Sequence, residues 1–198
     1  NNSSIKLPGT LLTAGSTNGL IGITFTDTNG AYSVRVQAGQ WGVRADDLSL
    51  IIRGYVGLQN ETNIASGTTG KTLGYPKATA LFYGSVTDNL GNPLPGIDIY
   101  ANDNNNYLYQ TDGYTDANGN YFAAVLGGLG SGDPWWLDIS GDSSPTNYVF
   151  SQPAFLQNGG TNLSAGTALR ADYFAILATN HIIGNVTANG TNIVGVGV

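Results

Sequence analysis

The sequence predicts an all-β protein, and three observations carry that prediction. Charged residues are only 10% of the 198, with one Glu (Glu61) and three Lys (Lys6, Lys71, Lys77), whereas long helices favour Ala, Leu, Glu, Lys and Arg. Gly is abundant at 29 residues. With Asn and Asp it cuts the chain into short β-branched and aromatic runs, the pattern of strands joined by turns. The runs also recur in order. Thr26-Asp27-Thr28-Asn29-Gly30-Ala31-Tyr32 returns as Thr115-Asp116-Ala117-Asn118-Gly119-Asn120-Tyr121, and Leu7-Pro8-Gly9 returns as Leu94-Pro95-Gly96. Leu58-Gln59-Asn60-Glu61-Thr62-Asn63-Ile64 returns as Leu156-Gln157-Asn158-Gly159-Gly160-Thr161-Asn162-Leu163, and Gly84-Ser85-Val86 as Gly184-Asn185-Val186. Ordered anchors of this kind mark a tandem repeat of roughly 90–100 residues.

The phasing of the repeat sets the expected domains. Residues 1–80 read as a first β-sandwich module lacking its opening strand, residues 81–180 as a complete second module, and residues 181–198 as an extension equivalent to the opening strand of a next module. Strands are expected near 10–14, 19–25, 31–37, 41–45, 50–56 and 72–82 in the first copy. Tyr32-Ser33-Val34-Arg35-Val36 shows the period clearly, with Tyr and Val on one face and Ser and Arg on the other. In the second copy they are expected near 81–87, 95–102, 107–111, 120–126, 135–140, 147–150 and 168–177, with Gly127–Gly132 as a flexible hairpin.

The stretch Gly84-Ser85-Val86-Thr87-Asp88, then Gly91-Asn92-Pro93-Leu94-Pro95-Gly96-Ile97-Asp98-Ile99, then Thr115-Asp116 and Gly119-Asn120-Tyr121, resembles the carboxypeptidase regulatory-like domain. Leu169–Leu177 resembles that family's closing strand. The resemblance implies seven-stranded, transthyretin-like (Ig-like) sandwiches, here two in tandem plus a C-terminal donor-type strand. It also implies a scaffold or adhesive unit of a secreted or cell-surface protein, and no catalysis.

Composition excludes several functions. There is no Cys, so neither disulfides nor thiolate metal sites are available. The net charge is −6 and no basic patch exists, which argues against nucleic acid or an anionic membrane as partner. No run of about 18 apolar residues could span a bilayer. Without an initiator Met or a signal peptide, the chain reads as a processed product or an excised fragment.

The candidate sites are few. Asp116 and Asn118 space oxygen ligands as the start of a calcium loop would, but Asp-x-Asn-Gly is also a favoured hairpin turn and its recurrence at Asp27–Gly30 favours the turn. Asp103, opening a run of Asn, is a further weak calcium candidate; no cofactor is required. Trp135 and Trp136 could offer a platform to a glycan, although neighbours in a strand face opposite ways, so one of them should enter the core. His181 is the only histidine, and no second His, Cys or G-x-S-x-G elbow accompanies it, so neither a zinc site nor a catalytic triad forms. Sequons at Asn2, Asn60, Asn162, Asn185 and Asn189 permit N-glycosylation in a competent host.

The last segment differs from the rest. Val194-Gly195-Val196-Gly197-Val198 alternates strictly, and a lone strand cannot bury one face or pair its backbone unaided. Ile182, Ile183, Val186, Ile193, Val194, Val196 and Val198 are therefore the expected donor residues of a strand given to the next molecule. The expected acceptor is the first module, at edges near Leu11–Thr13 and Lys77–Phe82. Such contacts are head-to-tail and build a homopolymeric filament. The expected function is thus a non-enzymatic extracellular structural protein, a pilus-like filament subunit. The alternative is a fragment of a multi-module adhesin or secreted enzyme that binds carbohydrate or calcium.

Overall fold

The computed structural model describes residues 5–104, 106–130, 132–141, 145, 147–153, 155–156, 159–185, 187–188 and 191–192. Its strands are β1 (Leu11–Gly15), β2 (Ile21–Phe25), β3 (Gln40–Ala45), β4 (Gly57–Leu58), β5 (Thr62–Ala65), β6 (Ala80–Asp88), β7 (Asp98–Asp103) and β8 (Tyr109–Tyr114). They continue as β9 (Asn120–Val125), β10 (Trp135–Ile139), β11 (Tyr148–Ser151), β12 (Ala168–Arg170), β13 (Tyr173–Leu177), β14 (Thr187–Ala188) and β15 (Thr191–Asn192). Among the described residues the one helix is α1 (Asp47–Ile51), so the fold is all-β as the sequence predicts.

The C-terminal strands form a sandwich around β6. Its residues alternate: Ala80, Phe82, Gly84 and Val86 are buried, while Tyr83 stands outside. β9 runs antiparallel along one edge of β6, and β12 and β13 run parallel along the other. β11 extends this sheet beyond β13. The facing sheet has the order β10-β7-β8-β4. Between them lie Phe82, Val86, Ile97, Ile99, Ala101, Tyr121, Val125, Trp135, Leu137 and Tyr173, all nearly or fully buried. Two buried hydroxyls are satisfied across this core: Tyr121 donates to Ala171 O and Tyr173 donates to Leu137 O, as buried phenols require.

The N-terminal strands make one antiparallel sheet, β2-β1-β3-β5. Leu12, Ala14, Trp41 and Val43 are buried on its inner face, with Tyr32, Val34, Val36, Ile64 and Leu73 packed against them. Residues 31–37 alternate in burial as their sequence predicts, with Thr24 Oγ1 donating to Ser33 O at 2.8 Å, although they join no ladder.

Four expectations are corrected, the first being the strand at 31–37, which is not formed because those residues join no ladder. Instead of a strand at 50–56, the chain forms α1 and a turn, because the Asp46 side chain caps the helix by accepting from Ser49 N at 2.8 Å. The strand expected over 72–82 begins only at Ala80, and 71–79 contributes only a bridge between Lys77 and Tyr55. The single strand expected at 168–177 is broken at Ala171–Asp172, where Asp172 Oδ1 turns to accept Ser85 N at 3.0 Å and pairs with Arg170. β4 departs from its own half: it pairs with β8, Gly57 opposite Gln110 and Leu58 opposite Tyr109.

Candidate functional site

The repeat in the sequence is a repeat of hydrogen bonds. Thr26 Oγ1 donates to Leu7 O and accepts Thr10 N at 2.8 Å; Thr115 Oγ1 donates to Leu94 O at 2.6 Å and accepts Ile97 N at 2.8 Å. After each clasp comes the same turn. Asp27 Oδ1 accepts from Asn29 N and Ala31 N, and Asp116 Oδ1 accepts from Asn118 N and Asn120 N. Gly30 and Gly119 close these turns at φ +70° and +73°, a backbone region costly for residues with a Cβ. A third copy at Asp88, accepting from Leu90 N and Asn92 N, follows β6. It is legible in the sequence as Asp-x-x-Gly-Asn.

These matches align 31–36 with β9. On the other side, Tyr32 OH donates to Lys71 O at 3.3 Å, as the equivalent Tyr121 OH donates to Ala171 O. The segment around Lys71 thus corresponds to the β12–β13 strand. In the C-terminal sandwich β6 lies between those two elements. At the same place in the N-terminal half is a cleft of about 920 Å³, lined by Leu12, Val34, Val36, Trp41, Val43 and Leu73 among others. Its floor is apolar, and the Trp41 indole N–H is already given to Gln37 O at 3.0 Å. All three lysines, Lys6, Lys71 and Lys77, line it.

The acceptor edges expected from the sequence are not free. β1, with Leu11–Thr13, is interior, paired with β2 and β3 on either side. The Ala80–Phe82 end of β6 is flanked by β9 and β12. Backbone pairing consumes both. The open feature is instead the space between 31–36 and 68–75.

The other candidates separate by burial. Trp135 is 1% exposed and its indole N–H donates to Leu126 O at 2.8 Å, so it presents no face to a glycan. Trp136 is half-buried on the opposite face, level with Asn102 of β7. Asp103 is fully buried, with its carboxylate accepting Leu108 N at 3.1 Å and Tyr109 N at 2.9 Å; Asp116 is committed to its turn beside the exposed Asn118. Among the described residues no group of three or more His, Cys, Asp or Glu could hold a metal. His181 is exposed, as are Asn60, Asn162 and Asn185. Ile182 and Ile183 are 105% and 93% exposed. Asn2, Val186, Asn189, Ile193, Val194, Val196 and Val198 lie outside the described residues. Among the described residues no helix is long and apolar enough to cross a membrane.

One further signal was available in the sequence. Residues 1–80 hold six of the seven Lys and Arg against four of the 13 Asp and Glu, a net +2; residues 81–198 hold one against nine, a net −8.

No family model matches the chain, and no curated protein matches it in sequence. Among solved structures it is similar to the Bacillus anthracis TIE protein, with 17% identity and a TM-score of 0.37 over 89% of this chain and 32% of that one. It is also similar to the shaft pilin spaA from Lactobacillus rhamnosus GG, with 9% identity and a TM-score of 0.36 over 89% and 90% of the two chains. A third likeness is to the group B streptococcus pilus 2b backbone protein, with 10% identity and a TM-score of 0.34 over 90% and 80%. The chain thus spans about a third of the TIE protein's length. With TM-scores this low, none of these likenesses bears on what the chain does.

Proposed function

We propose that this chain is a non-enzymatic extracellular structural protein, a filament subunit that joins head-to-tail by β-strand complementation. Its units are the incomplete one within 1–80, the complete one within 81–180 and the donor segment 181–198. The single observation that carries the reading is the cleft: it occupies the place that β6 fills in the other half, over an apolar floor of Leu12, Trp41 and Val43. A strand laid there gains main-chain hydrogen bonds on its two sides, and its inward side chains choose the register. The donor segment has what the cleft lacks, two fully exposed isoleucines followed by a β-rich sequence. Burying one such side chain is worth about 1.5–3 kcal/mol. The segregation of charge favours a second copy as the occupant, since the basic half carrying the cleft would meet the acidic half of its neighbour.

Light scattering and negative-stain microscopy of the intact chain and of a version ending at Asn180 test this. Filaments or a concentration-dependent ladder from the intact chain, absent after truncation, is the expected result. Single chains in both preparations would refute the proposal.

A further inference from the structure

The position that controls entry to the cleft is legible once the two halves are aligned through their hydrogen bonds. Ala178, Thr179, Gly184, Val186 and Thr187 each repeat the residue 100 positions earlier, in and just before β6. On that alignment Ile182 takes the place of the buried Phe82 and Val186 that of the buried Val86, while Ile183 and Asn185 take the outward places of Tyr83 and Ser85. Between the buried pair lies Gly84. A Cβ on Gly84 would overlap Ala171 O, the oxygen that accepts the Tyr121 hydroxyl. Only glycine lets β6 pass over that crossing. The N-terminal half has the same crossing, Tyr32 OH to Lys71 O.

We propose that a donor strand enters the cleft in the register of β6, antiparallel to 31–36 and parallel to 68–73, and that Gly184 is the specificity-determining residue because it must pass over the Tyr32–Lys71 crossing. The proposal rests on the complementation reading and adds to it the register, the direction and the residue that decides entry. Gly184 opposes Tyr32, Ile182 opposes Val34 and Ile183 opposes Ser33, as Gly84, Phe82 and Tyr83 oppose Tyr121, Ala123 and Phe122. The same residue that is crowded at position 84 is unconstrained at 184: a Cβ there meets nothing within 4 Å, and the backbone is outside the left-handed region. A side chain at 184 therefore leaves the single folded chain undisturbed and acts only when the strand is inserted.

The experiment compares three full-length chains by light scattering across a concentration series: unmodified, Gly184→Val and Asn185→Val. The expected result is assembly of the unmodified chain and of Asn185→Val. Gly184→Val should stay at the mass of one chain, or need at least about tenfold more protein for half assembly. Unchanged circular dichroism and melting of Gly184→Val would locate its defect in assembly. If Gly184→Val assembles at the same concentration as the unmodified chain, the register is wrong while complementation stands. If the unmodified chain stays single throughout, complementation itself fails and this inference falls with it.

Discussion

Asp112 faces Asp47 across the contact between α1 and β8, and this pair shows how single residues tie the two halves together. Asp47 is buried, with Oδ2 accepting from Gln110 Nε2. Burial first, and then the neighbouring charges of Asp47 and Asp98, push the Asp112 carboxyl up to about 7, against a smaller opposing effect of Arg44. Burial raises the carboxyl of Asp47 as well, opposed by the hydrogen bond from Gln110 and the charge of Arg44, with the charge of Asp46 adding to the rise. A carboxyl whose folded value is raised holds its proton more tightly when folded. Its contribution to stability is complete below the ordinary carboxylate range near pH 4 and is lost as pH rises through about 7. The melting temperature should accordingly fall between pH 5 and pH 8, and Asp112→Asn should remove most of that fall and melt higher than the unmodified chain at pH 8. An identical pH profile in the variant would exclude this pair as its source. Turn residues give a second expectation: Asp116→Ala should lower stability by about 1 kcal/mol, because two backbone N–H groups lose their acceptor. Denaturant titration of that variant measures it, and added calcium should not restore the loss.

Elements follow the sequence where a local pattern decides them. The repeated Asp-x-Asn-Gly turns at Asp27 and Asp116, the inward Tyr32, Val34 and Val36, and the opposed faces of Trp135 and Trp136 were all legible, because alternation and turn chemistry act within a few residues. What escaped was decided over distance. β4 is two residues long and exists only because Gly57–Leu58 finds β8, some fifty residues away in sequence, and no local preference encodes that pairing. The helix α1 was hidden by its apolar Leu50-Ile51-Ile52 run, which suits a buried strand equally well; the deciding signal was the cap at Asp46. The position of the cleft was not legible, since knowing that β1 is interior requires the sheet order. Within the sandwich, Gly84→Ala should be among the costliest single changes, by about 3 kcal/mol or more, because the added methyl meets backbone rather than a side chain that can swing away. Thermal unfolding of that variant measures the loss. Gly184→Ala, over open space, should leave the melting of the single chain unchanged.

Across the whole molecule, the net charges of +2 in residues 1–80 and −8 in residues 81–198 make the chain a dipole along its sequence. Copies brought head-to-tail place opposite signs together, whereas acidic halves repel one another. Assembly should therefore slow and weaken as salt is raised from about 0.01 M to 1 M, over which the screening length falls from about 30 Å to about 3 Å, while the apolar floor of the cleft keeps a salt-resistant part of the affinity. Scattering kinetics across that range measure both parts. That a strand of one copy lies in the cleft of another is tested most directly by a cross-link. The chain has no cysteine, and Ser33 and Ile183 are both exposed. Ser33→Cys chains and Ile183→Cys chains, prepared separately, mixed and mildly oxidised, can join the two substituted positions by a disulfide only between molecules. A strong mixed disulfide dimer, mapped by peptide mass to those two positions, is the result expected. No mixed dimer, from chains that do assemble, would contradict strand exchange through the cleft.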